Sequence, residues 1–400
     1  MVSTLHGRFA RLLVVAAMFA ALVVVIAGCG SSSSSSSSGE TGGSTEASGN
    51  GASGSSDLAA AEAMVKKAEA PWTTWEGPTK PTKPPSGINL ALVTCAGTVN
   101  GCVYPVEEAA KAAETLGWKT TTYDGKGDPV TQNKVVLQAI NSGAEAVLMA
   151  GIDPSAIQSS LKTAEERGIP VGDMTQGVAP GEGLAFDVGA NYVTGGEVTG
   201  AWVVADSGGE AKVLPTNDKE FASTVAIVEA ALKVIGECGG CEALPTEYFV
   251  SSDIGNGLGQ RIASKLQSNP DVNYVIGAFD PAVAEMVPAI QNAGIAENIS
   301  LISNVGDPQN LEWIAEGNVQ KADLVFDNQY IGYAAIDQMI RALNKEELWK
   351  NKGENDPRFE YNENVPYHLI TENNVGDPNE PWTASFDTVE KFEKLWGVGG

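Results

Sequence analysis

From Ile88 onward, short apolar strands alternate with amphipathic helices, and this alternation restricts the fold more than any other feature of the chain. Most of the predicted strands are continuous apolar runs, as expected where helices cover both faces of a sheet. The pattern predicts an α/β fold of parallel sheets wound by crossover helices. The predicted strands cover residues 88–95, 119–123, 146–149, 170–172, 184–188, 211–214, 247–250, 274–278, 300–303 and 322–326.

The intervening helices carry start and stop signals. An acid at the N-cap followed by proline at the first helical position favours a helix start. Glycine just past the last turn favours a helix end. The starts are Asp128-Pro129, Asp153-Pro154 and Asp280-Pro281, and the ends are Gly117, Gly143, Gly168 and Gly294.

The N-terminus predicts export. Arg8 and Arg11 precede an apolar run over residues 12–27 that is followed by Gly28 and Cys29. The run is shorter than the ~20 residues of a membrane-spanning helix, which favours a signal peptide over an uncleaved anchor. Its end resembles the lipobox of bacterial lipoproteins, which implies that Cys29 is acylated, binds membrane lipid and becomes the mature N-terminus.

Residues 29–56 are nearly all serine, glycine, threonine, alanine and acids. Such a segment has too little apolar surface to offset the entropy of ordering, so it is predicted to be a flexible tether. The formal net charge of the chain is -25, and a polyanion would repel it. We therefore expect no nucleic-acid partner.

Four further cysteines form two local groups, Cys95 with Cys102 and Cys238 with Cys241. An even number of cysteines in an exported chain favours two disulfides. A redox pair or half of a zinc site is the competing interpretation of Cys238 and Cys241. That pair follows a predicted helix rather than opening one, and no second cysteine pair completes a metal shell. We expect no metal and no cofactor.

The chain resembles the type I periplasmic binding proteins, the sugar-type receptors of ABC importers, from about Ile88 to Asn374. The resemblance rests on the order of several segments. These are INLALVTC, VEEAAKAAETLGW, NKVVLQAINSGAEAVLMAGID, LKTAEERGIPV, FDPAVAEMVPAIQNAG, SNVGDPQNLEWIAEG, IGYAAIDQMIRAL and VPYHLITENNV.

This resemblance implies two doubly wound parallel-sheet lobes joined by three hinge crossings. It also implies a small polar ligand held between the lobes, hinge closure, an ABC permease as partner and a location outside the cytoplasm. We expect a monomer. The predicted domains are a signal peptide (1–28), the tether (29–56), a helical and proline-rich lead-in (57–87), lobe 1 (88–183 with about 327–350), and lobe 2 (184–326 with part of 351–400, plus a C-terminal extension).

Ligands of open α/β sheets bind at the carboxyl ends of the strands. Amides, hydroxyls, acids and aromatic rings at those ends suit a sugar-like solute, since its hydroxyls need paired donors and acceptors while its C–H faces stack on rings. The candidates are Thr94, Asn100, Tyr104, Asp153, Thr175, Gln176, Asn217, Phe221, Phe279, Asp280, Asn304, Phe326 and Asp327. Asp153 and Asp280 are better explained as helix caps, and Phe279 and Phe326 are equally well explained as core residues.

The chain also departs from the ribose-type pattern. That pattern has an Asp-Arg pair where this chain has Thr175-Gln176, and an arginine where it has the neutral run 221–224. An asparagine of the pattern is replaced by Phe279. Because the charge-assisted hydrogen bonds of arginine are missing at these positions, a less hydroxylated or more aromatic ligand is an alternative.

Catalysis finds little support in the sequence. The two histidines are His6, in the predicted signal peptide, and His368, and no nucleophile motif accompanies either. We therefore predict a binding protein and not an enzyme. A ligand sensor that reports occupancy to a membrane receptor or kinase is the alternative, because it needs only the same ligand-dependent closure.

Overall fold

The computed structural model describes residues 51–399, with side chains from residue 57 onward. The predicted signal peptide, the lipidation site Cys29 and residues 29–50 of the predicted tether lie outside the described residues. The prediction that the tether extends to residue 56 is wrong, because the first helix already begins at Gly51. Once a helix has nucleated, each added residue gains a hydrogen bond, so even serine and glycine can extend it. Residues 51–399 belong to one compact unit with its own hydrophobic core.

The first sheet has five parallel strands in the order β2-β1-β3-β4-β5. The strands are β1 (Asn89–Thr94), β2 (Lys119–Asp124), β3 (Ala146–Ala150), β4 (Val171–Met174) and β5 (Phe186–Val188). The interior strands β3 and β4 are buried along their whole length. The continuous apolar sequence of β3 is therefore explained by helices on both faces.

The second sheet has the order β12-β11-β10-β9-β6-β7, and β8 pairs with the carboxyl end of β6. Its strands are β6 (Lys212–Asp218), β7 (Glu242–Ala243), β8 (Glu247–Phe249), β9 (Tyr274–Ile276), β10 (Ser300–Asn304), β11 (Gln320–Phe326) and β12 (Tyr367–Thr371). β12 is antiparallel to β11, whereas the other pairs are parallel. Neither β7 nor β12 was among the predicted strands.

Eleven α-helices are found in the described residues. They are α1 (Gly51–Ala68), α2 (Asn100–Thr115), α3 (Pro129–Asn141), α4 (Gln158–Arg167), α5 (Tyr192–Asp206), α6 (Ala222–Glu237), α7 (Leu258–Ser268), α8 (Asp280–Asn292), α9 (Pro308–Ala315), α10 (Asn328–Asn344) and α11 (Thr388–Trp396). None of the helices in residues 51–399 combines the length and hydrophobicity needed to cross a bilayer.

Most of the predicted start and stop signals lie at helix ends in the structure. The Asp128 carboxylate accepts a hydrogen bond from the Thr131 amide at 2.7 Å and caps α3. Asp153 caps a short 3₁₀ turn, Pro154–Ile157, in the same way. Gly168 ends α4 with a φ of 66°, a left-handed conformation that glycine adopts without steric cost.

The prediction that lobe 2 begins at residue 184 is wrong. β5 pairs with β4 in the first sheet, with Asp187 opposite Asp173. The chain leaves lobe 1 only after Val188, and α5 is the first element of lobe 2. The return segment α10 packs on α2 and on strands of the first sheet. A local apolar pattern does not specify which sheet a strand joins, because that depends on pairing with distant residues.

The lead-in and the C-terminal helix α11 pack on helix α10. Trp75, in the lead-in, packs against Tyr330 of α10 and Phe392 of α11. The Arg341 guanidinium is buried in α10 and donates to Asp337 at 2.7 Å. The lead-in and the C-terminal helix therefore cover α10, the helix that follows the second lobe crossing.

Candidate functional site

A cleft lies between the two sheets, at the carboxyl ends of their strands. It encloses about 600 Å³ of space, part of it open to solvent. Lobe 1 contributes Val99, Gly101, Cys102, Thr175, Asn328 and Ile331, and lobe 2 contributes Tyr192, Phe221, Ser223, Thr224, Ile227, Phe279, Asn304, Val305 and Phe326.

The cleft lining is aromatic and uncharged. The Phe221 and Phe279 rings meet edge to face with centroids 5.8 Å apart. Tyr192 and Phe326 form a second edge-to-face pair at 5.4 Å. Hydroxyls and amides add hydrogen-bonding groups between these rings, and no ionisable acid or base lines the cleft within the described residues. Such a surface suits a neutral ligand that has both apolar faces and hydroxyl groups.

The lobes touch each other beside the cleft, so the structure shows a closed arrangement. The Ser223 amide of lobe 2 donates to the Gln176 carbonyl oxygen of lobe 1 at 2.8 Å. The Gln176 side-chain amide donates back to the Glu220 carbonyl oxygen at 3.2 Å. Opening the hinge would break both bonds, so they stabilise the closed state only.

Two cleft residues have strained backbones. Thr175, after β4, has a φ of 69°, and Val305, after β10, has a φ of 125°. A β-branched residue rarely adopts positive φ, and such strain tends to collect at functional sites. The two strained residues lie on opposite lobes. Each lobe therefore contributes one residue with a strained backbone to the closed cleft.

A disulfide joins Cys95, after β1, to Cys102, in the first turn of α2. The Cys102 sulfur also lies so close to Gly151 that a Cβ there would stand 2.6 Å from it. The disulfide thus fixes the loop of lobe 1 that faces the cleft. A second disulfide joins Cys238 and Cys241 beyond the end of α6.

Comparison with known proteins decides the family. A family model described as a periplasmic binding protein domain matches residues 96–347, more than half of the chain. The chain belongs to this family. The resemblance to type I periplasmic binding proteins is thereby confirmed, and so is the predicted fold of two parallel-sheet lobes.

Relatives with curated names include the ribose import binding proteins of Bacillus subtilis (strain 168) and Escherichia coli (strain K12). The first is 25% identical over 185 residues, which are 46% of this chain and 59% of the relative. The second is 25% identical over 192 residues, 46% of this chain and 62% of the relative. The chain thus spans about three fifths of the length of these relatives.

Solved structures agree on the fold. A solute-binding protein from Agrobacterium vitis with bound α-D-tagatopyranose superposes with a TM-score of 0.63 at 19% identity, covering 73% of this chain and 97% of its own. The Caulobacter myo-inositol binding protein gives a TM-score of 0.62 at 20% identity and covers 73% and 96%. Identities this low establish the type I binding-protein fold alone.

The structure brings five of the predicted ligand residues into the cleft of this binding protein. These are Thr175, Phe221, Phe279, Asn304 and Phe326. Two others line neighbouring cavities, Asp153 beside Phe221 and Tyr104 beside Phe326. Phe279 and Phe326 are both core residues and cleft walls, since they are 4% and 9% exposed, whereas Phe221 is only partly buried.

Three predicted residues are used inside the protein instead. Thr94 is buried and donates to the Tyr123 carbonyl oxygen. Asp327 is buried, caps α10 through the Tyr330 amide, and accepts a second bond from the Ala384 amide at 2.9 Å. The prediction that Thr94 and Asp327 bind the ligand is therefore corrected, because neither residue is among the cleft residues.

Asp280 also needs correction, both as a helix cap and as a ligand residue. The N-cap position of α8 is Phe279, and Asp280 is fully buried in the first turn. Its Oδ2 accepts hydrogen bonds from the amides of Gly306 and Asp307, at 2.9 and 2.8 Å. Asp280 therefore shapes the loop after β10, which carries Val305 into the cleft.

The remaining predicted residues lie beside the cleft and not on its wall. Gln176 joins the lobes as described, and Asn217 at the end of β6 is 2% exposed, with no hydrogen-bond partner for its Oδ1. Asn100 begins α2 and faces Asp307 of lobe 2. Their position near the strand ends was predicted, but the direction of each side chain depends on the local backbone.

Several cleft residues were missed by the sequence prediction. Tyr192 was missed because β5 was placed in the wrong lobe, which hid the crossing that it follows. Ser223 and Thr224 belong to the neutral run at the start of α6 and could have been included with Phe221. Asn328 directly follows the candidate Asp327 at the end of a predicted strand, so it could have been predicted from its position.

Buried carboxyl groups form a cluster behind the cleft in lobe 2. The pKa of Asp307 is raised to about 7, mainly by burial and also by the nearby Asp280, while hydrogen bonds with Asn100 and Tyr104 lower it. Burial also raises the pKa of Asp280, and it holds the pKa of Asp323 well above its usual range. Like charges at close range disfavour joint ionisation, so protons are retained in this cluster. Only Asp307 of the three faces lobe 1.

Proposed function

We propose that this chain is an extracytoplasmic solute-binding lipoprotein that captures a small, neutral, sugar-like ligand for an ABC importer by closing its two lobes. The main support is the cleft itself, in which aromatic edges alternate with hydroxyl and amide groups and charged groups are absent from the described lining. The named relatives are import binding proteins for ribose. Export and lipid attachment through Cys29 are supported by the apolar run and the Gly28-Cys29 sequence.

The protein is proposed to bind its ligand without changing it. His368 stacks face to face on Trp382, with ring centroids 5.1 Å apart, and is not among the cleft residues. Within residues 51–399, no group of three metal-binding side chains is placed to hold an ion. The groups that do line the cleft can donate, accept and stack, which are the interactions of reversible recognition.

A small aromatic solute is the second candidate ligand. The specific observation that favours it is the density of rings, since Tyr192, Phe221, Phe279 and Phe326 all line one cleft. A ligand of this kind would stack or form edge contacts with the rings while its polar substituents bind the hydroxyls.

A ligand screen tests the proposal. The segment 48–400 would be heated with separate sets of sugars, polyols, nucleosides and small aromatics, since a ligand that binds only the folded state raises the melting temperature. We expect sugars or polyols to raise it most. Hits would be titrated by calorimetry against the variants Asn304→Ala and Phe221→Ala, with Tyr248→Ala as control because Tyr248 is exposed and outside the cleft. The proposal fails if no neutral solute shifts the melting temperature, or if the cleft variants bind as the control does.

A further inference from the structure

A second cavity adjoins the cleft. It encloses about 590 Å³, part of it open to solvent. The two spaces share Val305, Phe326 and Asn328 as lining residues. The Val305 side chain reaches toward Gly101 of the opposite lobe, where a Cβ would be 3.5 Å away. Val305 therefore lies between the cleft and the second cavity and lines both.

One side of this cavity is lined by Pro378, Asn379, Pro381 and Trp382. These four belong to residues 376–383, here named the C-terminal wall. Pro381 and Trp382 of this wall face Tyr104 of α2 across the space. Trp382 is held from behind by its stacking on His368. The chain directly after the wall is tied down by the hydrogen bond between the Ala384 amide and Asp327. Trp382 and the end of the wall are thus held by contacts with the rest of lobe 2 and with Asp327.

The lining has the character of a carbohydrate site. Tyr104 and Trp382 present aromatic rings, while Asn328 and Asn379 present amides. Aromatic faces stack on the C–H faces of a sugar ring, and amides can both donate to and accept from its hydroxyls. No acid or base is among the described residues that line this space, which again favours a neutral ligand.

We propose that the second cavity is a second subsite, and that the preferred ligand is a neutral carbohydrate of two linked rings. One ring lies in the cleft between Phe221 and Phe326, and the other lies between Tyr104 and Trp382. Asn328 lies at the junction and contacts both rings, because its side chain lines both spaces. This inference rests on the proposed function and adds the size of the ligand to it.

Matched sugars provide the test. The segment 48–400 would be titrated by calorimetry with D-glucose, D-galactose and D-xylose, and with maltose, cellobiose, lactose, melibiose and xylobiose. We expect at least one disaccharide to bind roughly tenfold more tightly than the monosaccharides it contains, as expected for one additional ring stacked on aromatic side chains. Trp382→Ala should remove this advantage and leave the affinity for the monosaccharide within about twofold.

Two further variants separate recognition from folding. Trp382→Phe should keep most of the disaccharide advantage, because a smaller aromatic face remains. Trp72→Ala is the matched control, since Trp72 packs edge to face on Tyr367 of the same lobe and does not line either space. It should lower the melting temperature about as much as Trp382→Ala without changing the preference.

The outcomes distinguish the two proposals. If a monosaccharide binds and none of its disaccharides binds more tightly, the second subsite is overturned while the proposed function stands. The same conclusion follows if Trp382→Ala weakens both kinds of sugar equally. If none of these sugars of either kind binds, the second subsite is overturned, whereas the proposed function is decided by the wider ligand screen.

Discussion

Replacing Asp307 by asparagine should stabilise the protein at alkaline pH and have much less effect in acid. Asp307 is 7% exposed and its pKa is raised to about 7, mainly by burial. In the unfolded chain an aspartate has a pKa of about 3.9. The folded protein therefore binds more protons than the unfolded chain between these two values, and its stability must fall as the pH rises through that window.

The magnitude follows from the shift. Each pH unit inside the window changes the free energy of unfolding by about 1.4 kcal/mol for one group. Between pH 5 and pH 8, the wild type should lose roughly 2–3 kcal/mol through Asp307, because the loss ends once the group has ionised near pH 7. Asparagine does not ionise, so the variant should avoid this loss and keep the amide in contact with Asn100 and Tyr104.

Urea denaturation without ligand gives the free energy of unfolding of the variant and of the wild type. The effect is the change in the difference between these two free energies from pH 5 to pH 8. Buried acids outside this cluster, such as Asp187 with its pKa raised to about 7, contribute to both proteins and cancel in this comparison. Glu372→Gln serves as control because Glu372 is exposed. A stability difference that is the same at both pH values, within about 0.5 kcal/mol, would refute the reasoning.

Three further predictions concern single features of the cleft. Phe221→Ala should weaken ligand binding by about thirtyfold through lost ring contacts, measured by calorimetry, and an unchanged affinity would contradict its role as a cleft wall. Asp280→Ala should lower the free energy of unfolding at pH 5 by about 2–4 kcal/mol, since two buried amides lose their acceptor; a loss below about 1 kcal/mol in urea denaturation would show that water replaces the carboxylate. The double variant Cys95→Ser, Cys102→Ser should weaken binding by about tenfold while changing the urea midpoint little, because the disulfide preorders a cleft loop; equal affinity in both proteins would exclude that role.

Strand positions could be predicted from the sequence because they depend on local chemistry. Each apolar run that was assigned to a strand overlaps one in the structure, and each glycine that was assigned to a helix end has positive φ. The membership of β5 could not be predicted in this way. Its three buried residues would suit either sheet, and only the pairing of Asp173 with Asp187 places it in the first.

The site was harder to predict for a related reason. The rule that ligands bind at strand ends located the region, but it does not distinguish a side chain that faces the cleft from one that holds a neighbouring loop. Phe279 and Asp280 are adjacent in sequence, yet the ring lines the cleft and the carboxylate turns to the Gly306 and Asp307 amides. Consecutive side chains at the start of a helix point in different directions. Neighbouring residues can therefore have different roles, one in the cleft wall and one in holding a loop.

The bond between the Ala384 amide and Asp327 has a consequence for how a solute would enter. Asp327 lies where the chain passes from one lobe to the other, and points near a rotation axis move least when the lobes swing apart. The C-terminal wall begins in lobe 2, after β12, and ends at this almost stationary point. It should stay in place while lobe 1 retreats with Tyr104. An incoming solute would then contact Trp382 first and remain bound there until lobe 1 closes over it.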